Sequence, residues 1–332
     1  MVPPMTVILC YALLAVGGPT DEPALPKPLG AVTAPRTNPS TPAKVALGRE
    51  LFFDLRLSRT GKVSCATCHD PDKGFGSGER FGVGVDGKRG TRNVPGLFNV
   101  GHAGSLFWDG RAATLEEQAI HPIDNPAEMD MKPAAVTEKI NAIDAYREQF
   151  QKAFGGAATP ERIAMALATF ERTLVSDDTP FDRFLRGDRK ALSEPARRGM
   201  RLFFGEARCA VCHAGPNLSD DRFHNVGTAT AADDLGRRAI TKNEKDHGAF
   251  RTPQLREVGR TAPYTHDGRF KTLAQVVRHY NFGGVTDEAN DHRDPELRVL
   301  YLSEEQADDL VAFLVDGLTS RPVAPSPRPA RK

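Results

Sequence analysis

Cys65-Ala-Thr-Cys68-His69 recurs as Cys209-Ala-Val-Cys212-His213, and how these two stretches are read decides the class of the chain. The sequence holds five cysteines, and four of them sit in this pair of motifs; the fifth, Cys10, lies in an apolar N-terminal run. C-x-x-C-H is the attachment pattern of c-type haem: two thiols add to the porphyrin edge, and the histidine that follows is brought beneath the iron. A zinc site would want a second ligand pair near each C-x-x-C. A redox dithiol has no use for the same trailing histidine twice. The motifs therefore predict two covalently bound haems, on Cys65, Cys68 and Cys209, Cys212, with His69 and His213 as proximal iron ligands.

The duplication extends outward from the motifs. Gly48-Arg-Glu-Leu-Phe-Phe53 precedes the first, and Gly199-Met-Arg-Leu-Phe-Phe204 precedes the second. Downstream, Pro95, Leu97, Val100, Asp109-Gly-Arg111 and Leu115 match Pro253, Leu255, Val258, Asp267-Gly-Arg269 and Leu273, all at an offset of 158 without a gap. An internal repeat on this scale predicts two homologous domains, at residues 42–190 and 191–319. The local pattern is helical. Ile163, Leu167, Phe170 and Leu174 recur at helical spacing after Thr159-Pro160, a cap and a first-turn proline. Ser303 opens a capping box with Gln306 ahead of Ala307, Leu310, Val311 and Leu314. Strand-like alternation is scarce. The expected fold is all-α: two cytochrome-c-like haem domains with long Gly-rich loops around the haems.

Composition sets the outer bounds. With 332 residues and 39% apolar residues, the chain can build two cores of ordinary size. Lys+Arg number 44 against 43 Asp+Glu, so no basic field points to nucleic acid. Thr6 to Val16 is an apolar run too short to span a bilayer and suited to a signal peptide over residues 1–20, although no Lys or Arg precedes Lys27. Haem is attached to such motifs outside the cytoplasm, which favours export to the periplasm. Residues 21–41 read as a Pro-rich linker that cannot pack, and 320–332 as a disordered tail of the same kind.

The remaining question is the sixth iron ligand. Electron-carrying c cytochromes commonly use methionine. All six methionines fall at or before Met200, so the second haem has none downstream in its own domain. Its candidates are His224, His247, Tyr264, His266, His279, Tyr280 and His292. Comparing Phe107-Trp-Asp-Gly-Arg-Ala-Ala-Thr-Leu-Glu-Glu-Gln-Ala-Ile-His-Pro122 with Thr265-His-Asp-Gly-Arg-Phe-Lys-Thr-Leu-Ala-Gln-Val-Val-Arg-His-Tyr280, Trp108 faces His266 and Pro122 faces Tyr280. Proline offers no donor atom, so the repeat allows a closed second haem and an open first one. His279 stands beside Tyr280 as a rival, since imidazole is the more usual ligand.

At this point the chain resembles the bacterial di-haem cytochrome c peroxidases and the related enzyme MauG over nearly its whole mature length. The resemblance is carried by the paired C-x-x-C-H motifs, Arg92-Asn93, Phe107-Trp108-Asp109-Gly110-Arg111, Leu115-Glu-Glu-Gln118, Glu128-Met129 and Thr261-Ala-Pro263-Tyr264-x-His266-Asp-Gly268. It implies that the N-terminal haem is the peroxide site and that the C-terminal haem receives electrons from a small redox protein, a cytochrome c or a cupredoxin. It implies a tryptophan between the haems (Trp108), and a glutamate and glutamine lining the peroxide pocket (Glu128 and Gln118). It also implies a calcium ion held by the Asn93 side chain and the Thr261 and Pro263 carbonyls. Two positions depart from the peroxidase pattern. The removable distal histidine expected sixteen residues after His69 is Val85, and the methionine expected fourteen after His266 is Tyr280. Both departures are similar to MauG, in which the first haem is open beside a proline (here Pro122) and a tyrosine closes the second.

These readings assign the chemistry. Glu128 is the candidate proton carrier for peroxide cleavage, provided burial raises its pKa. Gln118 would donate to the bound oxygen, or lie on a helix surface. Pro122 would shape the pocket, or end the helix begun near Thr114. Trp108 would relay electrons, or simply pack. His266 is expected beside the second haem without ligating it, Arg251 near a propionate, and His102, His121, His224, His247 and His292 as structural or surface residues. The expected function is a periplasmic di-haem c-type peroxidase that reduces hydrogen peroxide to water. The rivals are a MauG-like oxidase of a protein substrate and a non-enzymatic electron-transfer cytochrome. The reading admits a homodimer and involves no nucleic acid.

Overall fold

A computed structural model describes residues 23–228, 234–284 and 292–320. The expected signal segment 1–20, residues 21–22 of the linker and all but the first residue of the 320–332 tail lie outside the described residues. The helices in chain order are α1 (Pro42–Phe53), α2 (Cys65–Cys68), α3 (Leu115–Asp124), α4 (Pro133–Asn141), α5 (Asp144–Phe154), α6 (Pro160–Glu171), α7 (Pro180–Leu185), α8 (Glu194–Phe204), α9 (Arg238–Thr241), α10 (Leu273–Asn281) and α11 (Glu304–Ala312). Among the described residues, sheet is limited to a two-residue antiparallel pair, Phe223–His224 with Phe250–Arg251. No helix of the described residues is long and apolar enough to cross a membrane.

The fold is all-α and built twice. In the first half α1 crosses α6 and α3 packs on α6; in the second α8 crosses α11 and α10 packs on α11. The matching glycines at the head of each copy explain the crossings. A Cβ on Gly48 would lie 1.9 Å from the Ala166 carbonyl oxygen, and one on Gly199 would lie 1.9 Å from that of Asp309. Only a residue without a side chain lets the two backbones meet so closely. Local signals repeat as well. The Thr114 hydroxyl accepts from the Glu117 N–H at 3.1 Å, and the Thr272 hydroxyl accepts from the Gln275 N–H at 3.2 Å, so the same cap starts α3 and α10. The bridges Leu106 with Ala112 and Tyr264 with Phe270 fall at the same offset. Helices α4 and α5 lie between α3 and α6, where the second half has no helix among its described residues between α10 and α11.

Two apolar cores follow, one around Leu47, Leu51, Phe52, Ile123, Ile163 and Leu167, the other around Met200, Phe203, Val277, Leu310 and Phe313. Phe181 and Phe184 of α7 belong to the second core. The first core therefore ends at Leu174, short of the boundary at 190 expected from the repeat. The buried Arg256–Asp182 ion pair, at 2.7 Å, ties α7 to the same side. Residues 23–41 also differ from expectation: they lack regular structure but they pack. Leu25 lies against the second core, and Asn38 is 1% exposed. Its amide donates to Glu116 at 2.7 Å and to the Met165 carbonyl at 2.9 Å, so its polar atoms are satisfied inside the protein rather than by water. Helix α6 stops at Glu171, and Leu174, expected on its face, is buried just beyond the end.

Candidate haem sites

Each C-x-x-C-H motif forms one short helical turn, α2 for the first and residues 209–211 for the second. Ser64 and Thr67 cap the first turn reciprocally. None of these four cysteines is joined in a disulfide. Both histidines are inside the protein, and each Nδ1 is bonded to a backbone carbonyl: His69 to Phe75 at 2.8 Å, His213 to Leu218 at 3.0 Å. Burial lowers the pKa of both and so disfavours the charged form, and a ring that donates from Nδ1 presents Nε2 as a lone-pair donor. A phenylalanine supports each ring in matching geometry, Phe52 to His69 at 6.5 Å and 43° and Phe203 to His213 at 6.3 Å and 47°. Paired thiols, an oriented imidazole and an adjoining cavity fit a covalently bound haem at each site.

The first cavity, of about 60 Å³, is lined by Cys65, Cys68, His69, Gln118, Pro122, Glu128, Met129 and Glu171. Three residues singled out in the sequence, Gln118, Pro122 and Glu128, thus meet on one proximal histidine. Pro122 does not end its helix; α3 runs two residues further, to Asp124. What proline removes at this position is the N–H that would bond the carbonyl of residue 118. Glu128 follows α3 on a tight turn. Its Oε1 accepts from the Asn125 amide at 2.7 Å, and its backbone carbonyl accepts from the Val85 N–H at 2.8 Å. Val85 itself is buried in the first core. Burial raises the Glu128 acid above the ordinary carboxylate range, against the Asn125 hydrogen bond and the charges of Arg111 and His121.

The second cavity, of about 270 Å³, is lined by Cys209, Cys212 and His213 and, from α10, by Tyr280. Burial pushes the Tyr280 phenol up, and the nearby Cys212 and Cys209 sulfurs push it the same way. His279 turns elsewhere: its Nε2 is 2.8 Å from the Val226 carbonyl. Tyr264 lines this cavity too, with its hydroxyl donating to the Val258 carbonyl at 3.0 Å. His266 is a lining residue, 4% exposed, its ring stacked on Phe250 at 3.7 Å, and burial lowers its pKa to about 4. Arg251 lines the cavity as well, 3.2 Å from Asp221.

Trp108 joins the halves. Its indole N–H donates to the Asn93 carbonyl at 2.9 Å, its own carbonyl accepts from the Arg251 N–H at 2.8 Å, and it lines the second cavity. Arg92 clamps the same junction, 2.6 Å from both Asp109 and Asp234. The Asn93 amide nitrogen donates to the Glu79 and Arg80 carbonyls, each at 3.2 Å, which leaves Oδ1 as the free acceptor. Asn93, Thr261 and Pro263 all line the second cavity.

One residue escapes the sequence reading, and another, His224, is weighed there as a ligand of the second haem and then placed as structural. His224, expected to be structural or at the surface, lines the second cavity between Asp220 at 2.9 Å and Asp294 at 2.6 Å. Its pKa is raised to about 10 by hydrogen bonding to Cys212, Asp294 and Asp220, against burial. Glu171 lines the first cavity, although it had a signal available: it lies four residues after Leu167 and eight after Ile163, on the apolar face of α6.

The repeated helical frame and paired attachment sites define a di-haem c-type cytochrome. Comparison with known proteins narrows this. A family model described as di-haem cytochrome c peroxidase matches residues 42–190. The chain is 42% identical over 297 residues to methylamine utilization protein MauG of Methylorubrum extorquens, covering 88% of this chain and 83% of that protein. It is 39% identical over 256 residues to cytochrome c551 peroxidase of Pseudomonas aeruginosa, covering 74% of each. Among solved structures, a MauG-like protein associated with microbial copper homeostasis matches with a TM-score of 0.85 at 32% identity, over 92% of this chain and 97% of that one. The chain belongs to the di-haem cytochrome c peroxidase and MauG family.

Proposed function

We propose that this protein is a periplasmic di-haem peroxidase that reduces hydrogen peroxide to two waters, using two protons and two electrons from a small redox protein such as a cytochrome c or a cupredoxin. The observation that carries the reading is the difference between equivalent helix positions: Pro122 of α3 lines the first cavity, and Tyr280 of α10 lines the second. In the cavity lined by His69 that position of the repeat is a proline. In the cavity lined by His213 it is a phenol, which gives up its proton on ligating a cation.

Bound at His69, a haem supplies the redox iron at which the O–O bond is broken. The residues around it manage protons and access. Glu128, part-buried and raised in pKa, would take a proton from one peroxide oxygen and deliver it to the other, which leaves as water. Gln118 would donate its amide to the remaining oxygen, and Pro122 would keep a protein ligand out. Tyr280 would hold the iron of a haem on His213, and Trp108 would carry electrons from that site to the first. Calcium held by Asn93, Thr261 and Pro263 would stiffen the junction that Trp108 occupies.

The MauG-like pair of departures, Val85 and Tyr280, supports a second reading, an oxidase of a protein substrate. Peroxide turnover with a reduced cytochrome as sole donor favours the peroxidase; turnover that requires a modified protein partner favours the oxidase. The ligation is tested by electron paramagnetic resonance of the fully oxidised protein. One high-spin and one low-spin haem, with immediate reaction with peroxide, is expected; two low-spin haems would defeat it.

A further inference from the structure

Glu171 is an acid that the chemistry above leaves unused. It closes α6, is 6% exposed, and lines the first cavity beside Cys65 and Leu167. Its Oε2 is buried without a hydrogen-bond partner. Other charged groups face it from two directions. Arg172, next in sequence, is held by Glu116 of α3 through two hydrogen bonds at 2.7 and 2.8 Å, so its charge is largely spent there. Across the cavity, Glu128 is bonded to Asn125, and the His69 Nδ1 is bonded to the Phe75 carbonyl. An ionised carboxylate in such a place is poorly compensated, and proteins resolve that by keeping the proton. Burial accordingly raises the Glu171 pKa to about 8, with Arg172 pulling it down and Glu116 pushing it up.

We propose that Glu171 is the redox-linked proton site of the first haem: an electron arriving there is accompanied by a proton onto the Glu171 carboxylate, and its departure releases that proton. The reason is electrostatic. Oxidised, the haem core carries one more positive charge than when reduced, and that charge compensates a carboxylate lining the same cavity. Reduction removes it and leaves the carboxylate unpaired. The electron comes from the reductant and the proton from solvent: one O–H bond forms on Glu171 as one O–H bond of the solvent hydronium that supplies the proton breaks. The inference goes beyond the peroxidase reading, since it requires only a haem on Cys65, Cys68 and His69.

The test is a spectroelectrochemical titration of the holoprotein from about pH 4 to about pH 9, a range that brackets the ordinary glutamate value and the raised one. The first-haem midpoint is expected to fall as pH rises, approaching about 59 mV for each tenfold drop in proton concentration, the one-electron, one-proton slope. Glu171→Gln flattens that slope with both haems still attached, whereas Glu128→Gln keeps it. A slope unchanged in Glu171→Gln, or abolished in Glu128→Gln alone, overturns the proposal. An independent measurement needs no variant: the reduced-minus-oxidised infrared difference spectrum of the wild type gains a protonated-carboxyl band when glutamate is the carbon-13-labelled residue. The absence of a label-sensitive band overturns the proposal as well.

Discussion

Replacing Glu128 by glutamine removes one ionisable proton site and little else. The side chain keeps its size and can still pair with the Asn125 amide, now 2.7 Å from Oε1. The backbone carbonyl still accepts from Val85, so the turn that carries residue 128 keeps its anchor. The expected loss is therefore that of general acid–base catalysis alone, about 100-fold to 10,000-fold in the rate of peroxide cleavage. That corresponds to about 3 to 5 kcal/mol of barrier. The pH dependence carries a sign. Burial raises the Glu128 acid, and the residue accepts a peroxide proton only when ionised. The wild-type rate should be at its plateau above that raised pKa and should fall as pH drops through it. In Glu128→Gln this acid limb should vanish. Stopped-flow mixing of the oxidised holoprotein with peroxide, followed at the Soret band, measures both quantities. A variant within about threefold of wild type that keeps the same acid limb would put the proton carrier elsewhere; the threefold margin is small beside the smallest loss expected of a general acid–base residue.

Other changes have distinct signatures. Tyr280→Phe should convert the second haem to high spin, so the oxidised spectrum shows two high-spin irons while the first-haem reaction with peroxide is retained; an unchanged low-spin signal would return attention to another ligand. Gly199→Ala forces a methyl to within 1.9 Å of the Asp309 carbonyl oxygen, and the helix crossing must open. Overpacking of this kind costs about 1–3 kcal/mol, to be read by denaturant unfolding of the holoprotein; full stability would show that the α8–α11 contact is not tight. Removing calcium with a chelator should slow electron transfer between the haems in single-turnover experiments, and Asn93→Ala should reproduce the slow rate and lose chelator sensitivity. Equal rates with and without chelator would argue against a cation at Asn93.

Much of this protein was legible in the chain itself. Covalent haem attachment depends on residues separated by two and three positions, and the helix caps at Thr114 and Thr272 act over a single turn. Such features are short-range, so sequence spacing and physical proximity coincide. The fixed offset between the halves extended that local knowledge to the paired positions Pro122 and Tyr280.

Which side chains face a cavity was decided by packing. Successive residues on a helix point about 100° apart at 3.6 residues per turn, so the docking of α10 on α11 leaves Tyr280 lining the second cavity and turns its neighbour His279 toward Val226. The same is true of Glu171, whose place on an apolar helical face gave a signal but whose partner surface appears only when α6 crosses α1 beside Cys65. Asn38 in a segment that reads as linker, and α7 in the second core rather than the first, are further cases. Sequence by itself determined the cofactor, the duplication and the helical class, because these rest on neighbours along the chain. Tertiary structure alone decided burial, facing and shared cavities, because those depend on contacts between residues tens of positions apart.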